Sequence, residues 1–288
     1  MRFAFIRDHL AGDFSIIDCC RVLQVSHSGY YRWLKSPVGK RAQRKAELID
    51  AIREVHEENR RVYGSPRITK ALEIKGMKVN RKTVARTMRE NRIRAKTARP
   101  FRPRTTDSLH AHPIAPNLLN RAFDVRSLNT VWLSDITYIP TGEGFLYLAG
   151  VMDLASRRIV GWSMADHLRA ELVLGAMRMA IEGRRPGHGL LHHSDRGTQY
   201  ACDDYQSLLE RHGITPSMSA TGECLDNAPK ESFWATLKRE LMSDRRFTTR
   251  EQARLAIFEY IEVFYNRRRL HSSIGLVSPE TFEAGLCC

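Results

Sequence analysis

The sequence predicts two regions of different class: a basic, all-α helix-turn-helix region, then an α/β domain with a mixed five-stranded sheet and flanking helices. Three observations predict this. Residues 1–125 carry 27 Lys+Arg against 12 Asp+Glu, whereas residues 126–288 carry 19 against 20, so the net +14 lies wholly in the first half. Near residue 126 the apolar spacing changes from helical to strand-like. Beyond that point the elements run in the order βββαβαβα, which few architectures share.

Within the first region, "FSIIDCCRVLQVSHSGYYRWLK" (14–35) reads as two short helices. Ile16, Ile17, Cys20 and Leu23 recur at helical spacing, and Ser26 stands where it can cap the second helix. Residues 41–58 form an amphipathic helix with Leu48, Ile52 and Val55 on one face. In "YGSPRITKALEIKGMKVNRKTVARTMRENRI", Ser65 is expected to cap a helix with Pro66 in its first turn and Gly76 at its end. Asn80 then caps a second helix that turns Val84 and Met88 inward and leaves Arg81, Lys82, Arg86, Arg89 and Arg92 outside. A cap, a short turn and a cationic second helix fit a DNA-binding helix-turn-helix at about 60–95. A solvated basic helix is the alternative. "ARPFRPRTT" reads as an extended basic linker. The expected domains are a helical DNA-binding region at 1–105, a linker at 106–125, and a core with a helical tail at 126–288.

Three strand-like runs open the core: "TVWLSDITYIP", "GFLYLAGVMDL" and "RRIVGWSMA". Their short connections predict an antiparallel meander. "RAELVLGAMRMAIEG" follows as a helix burying Leu172, Ala176 and Met179, so the next strand, "GLLHHSD", should return parallel to the first. A helix at "CDDYQSLLERHG", a short strand at "ITPSMS" and a last helix at "NAPKESFWATLKREL" complete the order. This is the arrangement of the ribonuclease-H fold.

Placed on these elements, three carboxylates stand out. Asp135 lies inside the first strand, Asp195 ends the fourth, and Glu231 opens the last helix 35 residues after Asp195. Neighbouring first and fourth strands can bring the aspartates together, and the helix can pack across the same edge. Converging carboxylates repel unless a cation neutralises them. Mg²⁺ or Mn²⁺, two ions in all, would suit oxygen ligands and phosphodiester chemistry. Asp153 suits a turn cap, and Asp226 an N-cap. Lys238, two helical turns after Glu231, can hold a phosphate or be solvated; Asn227 can cap the helix or touch DNA. His192 and His193 face opposite sides of a strand, so at most one, His193, supports the ligands; a buried, hydrogen-bonded histidine is the plainer reading.

Other classes are excluded. Cysteines occur as Cys19-Cys20, Cys202, Cys224 and Cys287-Cys288, without a C-x-x-C pair, which argues against a zinc site and fits a reduced, cytoplasmic protein. The longest apolar run, "FLYLAGVM", is eight residues, short of the ~20 that a membrane helix needs.

"WLSDITYIPTGEGFLYLAGVMDLASRRIVGWSM", "HHSDRGTQY" and "CLDNAPKESFWATLKRE" resemble the DDE catalytic core of transposases of the insertion sequence 3 family, which is similar to retroviral integrases. "YNRRRLHSSIGLVSPETFE" looks like that family's C-terminal signature, and "CRVLQVSHSGYYRW" and "YGSPRITKAL" match its second reading frame. The resemblance implies that Asp135, Asp195 and Glu231 bind the metal and catalyse strand cleavage and joining. It also implies binding to terminal inverted repeats and target DNA, in which Arg267 and Arg268 of the tail join the basic helix. An upstream-frame protein, or a fusion with it, and self-association on nucleoid DNA are the expected partnerships. The starting methionine and lack of sustained heptads mark the second frame alone. A nuclease that only hydrolyses, and a silent DNA-binding regulator, are the competing functions.

Overall fold

The computed structural model describes residues 1–35, 39–96, 113–220, 227–243 and 245–286. Two compact units result, residues 1–94 and 95–288.

The first unit is helical: α1 (Arg2–Phe5, continuing as a π-helical turn to Leu10), α2 (Ile16–Val22), α3 (His27–Lys35), α4 (Lys40–Glu58), α5 (Ser65–Ile74) and α6 (Arg81–Glu90). Ser26 Oγ accepts from the Gly29 N–H at the start of α3, as its position predicts. Ile6, Cys19, Cys20 and Tyr30 form a small core, but Ile17 faces outward at 55 % exposed, because α2 is too short to bury two sides. Ile52 and Val55 of α4 are buried, as are Ile68 and Leu72 of α5 and Val84 and Met88 of α6. The cap of α5 differs from expectation. Gly64 occupies the cap position in extended backbone and Ser65 is already helical, because Pro66 fits at either of the first two helical positions. On α6 the Asn80 side chain accepts from the Lys82 N–H at 2.8 Å, and Arg81, Lys82, Arg86 and Arg89 are exposed.

The second unit carries β1 (Val131–Thr141), β2 (Gly144–Asp153), β3 (Ile159–Ala165), α7 (Ala170–Arg184), β4 (Leu191–Ser194), α8 (Thr198–Ala201), α9 (Asp203–Arg211), β5 (Thr215–Met218), α10 (Ala228–Met242), α11 (Arg250–Phe258, continuing as a π-helix to Tyr265) and α12 (Pro279–Leu286). The sheet order is β3-β2-β1-β4-β5, with β1–β3 antiparallel and β4 and β5 parallel to β1. This is the predicted mixed five-stranded sheet. Trp132, Ala149 and Val151 meet α7 and α9 in one core; α10 and α11 also pack against β1. At Gly161 a Cβ would stand 2.2 Å from the Ala176 carbonyl oxygen, so only glycine lets α7 lie this close to β3. The buried stripe of α7 is Leu172, Val173, Ala176, Met177 and Ala180; Met179 lies off it and is 38 % exposed.

One further expectation changes. Residues 113–125, expected as linker, pack on the sheet: Leu119 is buried among Val131, Leu133 and Leu154, and the Leu118 N–H donates to Ser217 Oγ at 2.9 Å. "ARPFRPRTT", Glu223, Cys224, Asp226, Cys287 and Cys288 lie outside the described residues. Cys19, Cys20 and Cys202 are free thiols. No helix among the described residues is long and apolar enough to cross a membrane.

Candidate active site

Register builds the site. β1 and β4 pair in parallel with Leu133 opposite His193, which sets Asp135 in β1 and Asp195, just past the end of β4, on the same side of the sheet and near each other. Both are half-buried. Asp135 Oδ1 accepts from the Ile136 N–H at 2.7 Å, and Oδ2 from the indole N–H of Trp234 on α10 at 3.0 Å. Asp195 Oδ1 accepts from the Gly197 N–H at 3.0 Å. Gly197 has an ordinary backbone angle; a Cβ there would crowd that oxygen at 3.1 Å.

The pair is electrostatically costly. Burial and the neighbouring Asp195 push the Asp135 carboxyl well above the usual carboxylate range, against the N–H donors and Lys230, which favour its charge. Burial likewise pulls Lys230 down from its ordinary value, opposed by Asp135. Tyr200 OH, Asn227 Oδ1 and Lys230 Nζ are buried without a hydrogen-bond partner among the described residues. Polar atoms left orphaned around two carboxylates signal that something else completes the site. Hard oxygen donors fit a divalent cation such as Mg²⁺, which can be held through one or two carboxylates with water and phosphate filling the rest.

The remaining candidates fall into three groups. Glu231, on the first turn of α10, is exposed, and burial raises its carboxyl; among the described residues no three His, Cys, Asp or Glu side chains cluster to hold one ion. Lys238 is half-buried with its ammonium 4.8 Å from the Tyr138 ring, lowered by burial and sustained by Asp135. Asn227 stands at the cap position of α10 yet its side chain does not cap; Nδ2 donates to the Ser134 carbonyl at 3.1 Å, tying the helix to β1 beside Asp135.

The histidines separate as alternation demands. His193 Nδ1 and Nε2 meet Ser217 Oγ and Ser219 Oγ at 2.9 and 3.1 Å. On the opposite face His192 Nε2 meets Ser134 Oγ at 2.8 Å and Tyr205 OH at 3.1 Å, and burial lowers it to about 3. Asp153 is the predicted turn cap, accepting from the N–H groups of Asn129, Ala155 and Ser156. Sequence reasoning missed Lys230 and Trp234. Their "KESFW" spacing on a helix, i and i+4, was the available signal.

Integrase core domain families match residues 126–224 and 212–279, and an HTH-like domain family matches 43–101. The transposase InsF for insertion sequence IS3A of Escherichia coli (strain K12) is 42 % identical over 98 % of this chain and 98 % of that protein. The chain belongs to the IS3-family transposases. A Shigella sonnei relative, the insertion element IS600 uncharacterized 31 kDa protein, is 46 % identical over 92 % of this chain and 97 % of its own length. Among solved structures, an intasome of simian T-cell lymphotropic virus aligns at TM-score 0.45 and 14 % identity, over 74 % of this chain and 69 % of that one. The HTLV-2 integrase catalytic core domain in complex with magnesium aligns at TM-score 0.41 and 14 % identity, over 54 % and 95 %. Family membership makes this transposase a DDE-type polynucleotidyl transferase with an N-terminal DNA-binding domain.

Proposed function

We propose that the chain cuts and joins DNA at the ends of its element, with Asp135, Asp195 and Glu231 holding Mg²⁺ or Mn²⁺, two ions in all. The observation that carries this is the closeness of Asp135 in β1 to Asp195, which directly follows the adjacent parallel strand β4 and raises the Asp135 carboxyl. When bound, the metal activates the attacking hydroxyl and takes up charge on the leaving 3′ oxygen. The chain's own residues do the positioning. Trp234 and the Ile136 N–H fix the Asp135 carboxylate; the Gly197 N–H fixes Asp195. Glu231 sits one helical turn from Trp234, on the same helix that Asn227 ties to β1. In cleavage, a water oxygen replaces the 3′ oxygen at phosphorus and frees the element's 3′ hydroxyl. In joining, that hydroxyl displaces a 3′ oxygen of the target strand.

Exposed Arg81, Lys82, Arg86 and Arg89 on α6 serve the terminal inverted repeats, entering a groove as a recognition helix does. Arg267 and Arg268, exposed after the π-helix, and the half-buried Lys238 contact phosphates nearer the site. Target DNA, self-association on DNA and an upstream-frame partner complete the reading. Free thiols and a DNA substrate support a cytoplasmic location, on the nucleoid.

A labelled element end incubated with the chain, target DNA and Mg²⁺ tests the proposal. Joined product is expected, and Asp135→Asn or Glu231→Gln should lower it by at least about two orders of magnitude, several kcal/mol of lost charge stabilisation. Products of water attack alone would indicate a nuclease. Undiminished joining by Glu231→Gln would remove that residue from the machinery.

A further inference from the structure

Lys230 is wholly buried, and its ammonium has no hydrogen-bond acceptor among the described residues. An isolated buried charge is among the costliest features a fold can carry, so something must offset it. The offset is a fitted slot. Its Nζ stands 4.6 Å from the ring centroid of Trp234 and 5.1 Å from that of Phe233. The floor is Gly150, where any Cβ would lie 2.7 Å from Nζ. Gly150 is the register partner of Asp135 on β2, and Trp234 donates its indole N–H to Asp135. The floor and one wall of the slot are therefore paired with or bonded to Asp135.

The next residue, Glu231, is exposed. Consecutive residues on a helix point about 100° apart, so the first turn of α10 presents one of the two to the sheet at a time. In this arrangement it presents the lysine.

We propose that Lys230 is the resident counter-cation of Asp135 and competes with a divalent ion, so that metal loading and the entry of Glu231 are one event. Turning the first turn of α10 withdraws the ammonium and brings in the carboxylate. This rests on the reading of Asp135, Asp195 and Glu231 as metal-holding residues. Lys230 is then a positioning residue: two cations beside one carboxylate repel, and whichever is present sets the helix. Gly150 has its own reason to lack a side chain, because a Cβ would close the slot.

Calorimetric titration of the full chain with Mn²⁺ alone tests it. Lys230→Met keeps the length and apolar stem but removes the charge. Its Mn²⁺ affinity should rise on the order of tenfold, within the usual range for coupled sites. Asp135→Asn should abolish binding with either residue at 230. Equal or weaker affinity in Lys230→Met, with Asp135→Asn still silent, overturns the role of Lys230 and leaves the metal reading intact. Mn²⁺ binding that survives Asp135→Asn overturns the metal reading instead. Should Lys230→Met fail to fold, the wild-type Lys230 side-chain resonances decide: saturating Mg²⁺ should move its ε-methylene protons downfield as they leave the faces of the Trp234 and Phe233 rings, and unmoved resonances overturn the proposal.

Discussion

The two ends of α10 handle buried charge in opposite ways. At the C-terminal end Glu240 accepts from Arg269 Nη2 at 2.6 Å and Nε at 2.9 Å, and from Tyr260 OH at 2.8 Å. Arg269 and Glu240 side chains are each 2 % exposed, and both are fully engaged. At the N-terminal end Lys230 is equally buried and, among the described residues, meets aromatic faces and the nearby Asp135 carboxylate without a hydrogen bond. A satisfied network has one arrangement and fixes the helix; an unsatisfied group marks the place where another component enters. One end of α10 is an anchor, and the other carries the proposed exchange of Lys230 for a metal ion.

The largest expected effect breaks the anchor. Arg269→Ala leaves Glu240 charged and buried alone, and should cost about 3–5 kcal/mol in denaturant unfolding. Replacing both, Glu240→Leu with Arg269→Met, should recover most of that. An equal loss in the double variant would mean that packing, not charge, holds this end. At the other end Lys230→Met removes an unbonded buried charge rather than stranding one, and should leave stability unchanged or raised. A loss as large as that of Arg269→Ala would erase the contrast.

His192 sharpens the comparison from the opposite face of the sheet. Burial lowers it to about 3, below an unfolded value of about 6.5, so the unfolded chain binds the extra proton in that window. Stability of the core should fall as pH drops below about 6.5, by about 1.4 kcal/mol per pH unit for this one proton, until about 3. His192→Gln should flatten that slope in a pH series of unfolding curves. An unchanged slope would assign the proton elsewhere.

The smallest effects are on the first unit. Each arginine–phosphate pair removed from α6, through Arg86→Ala or Arg89→Ala, should reduce the slope of log affinity against log salt by about 0.9. A slope that ignores both would remove α6 from the DNA interface.

Much of this was legible in the sequence, for physical reasons. Strands β1 to β3 announce themselves through β-branched and aromatic runs, and the helix between β3 and β4 forces a parallel return. Asp135 was readable because a carboxylate within an apolar strand needs a purpose, and Asp195 because it follows a short strand directly. The anchor was not readable. "NRRRLH" shows three arginines of equal appearance, and only the fold buries Arg269 while leaving Arg267 and Arg268 exposed. Asn266 belongs to the same surprise, since it bonds the backbone N–H and carbonyl of Ile159 rather than any ligand. Lys230 escaped notice because lysines almost never bury, so attention falls on the carboxylate beside it. Leu119 was hidden in a short segment with neither helical nor strand periodicity, which reads as a continuation of the basic linker before it.

In the proposed function, strand transfer depends above all on Asp135 and Asp195, brought to one side of the sheet by the β1–β4 pairing, holding the metal together. Asp195→Asn removes one of the two charges, and the strand-transfer assay with Mg²⁺ and a labelled element end reads the consequence. No joined product is expected, with DNA binding and thermal unfolding like the wild type. Joined product at the wild-type rate from Asp195→Asn would mean that the aspartate pair does not hold the catalytic metal.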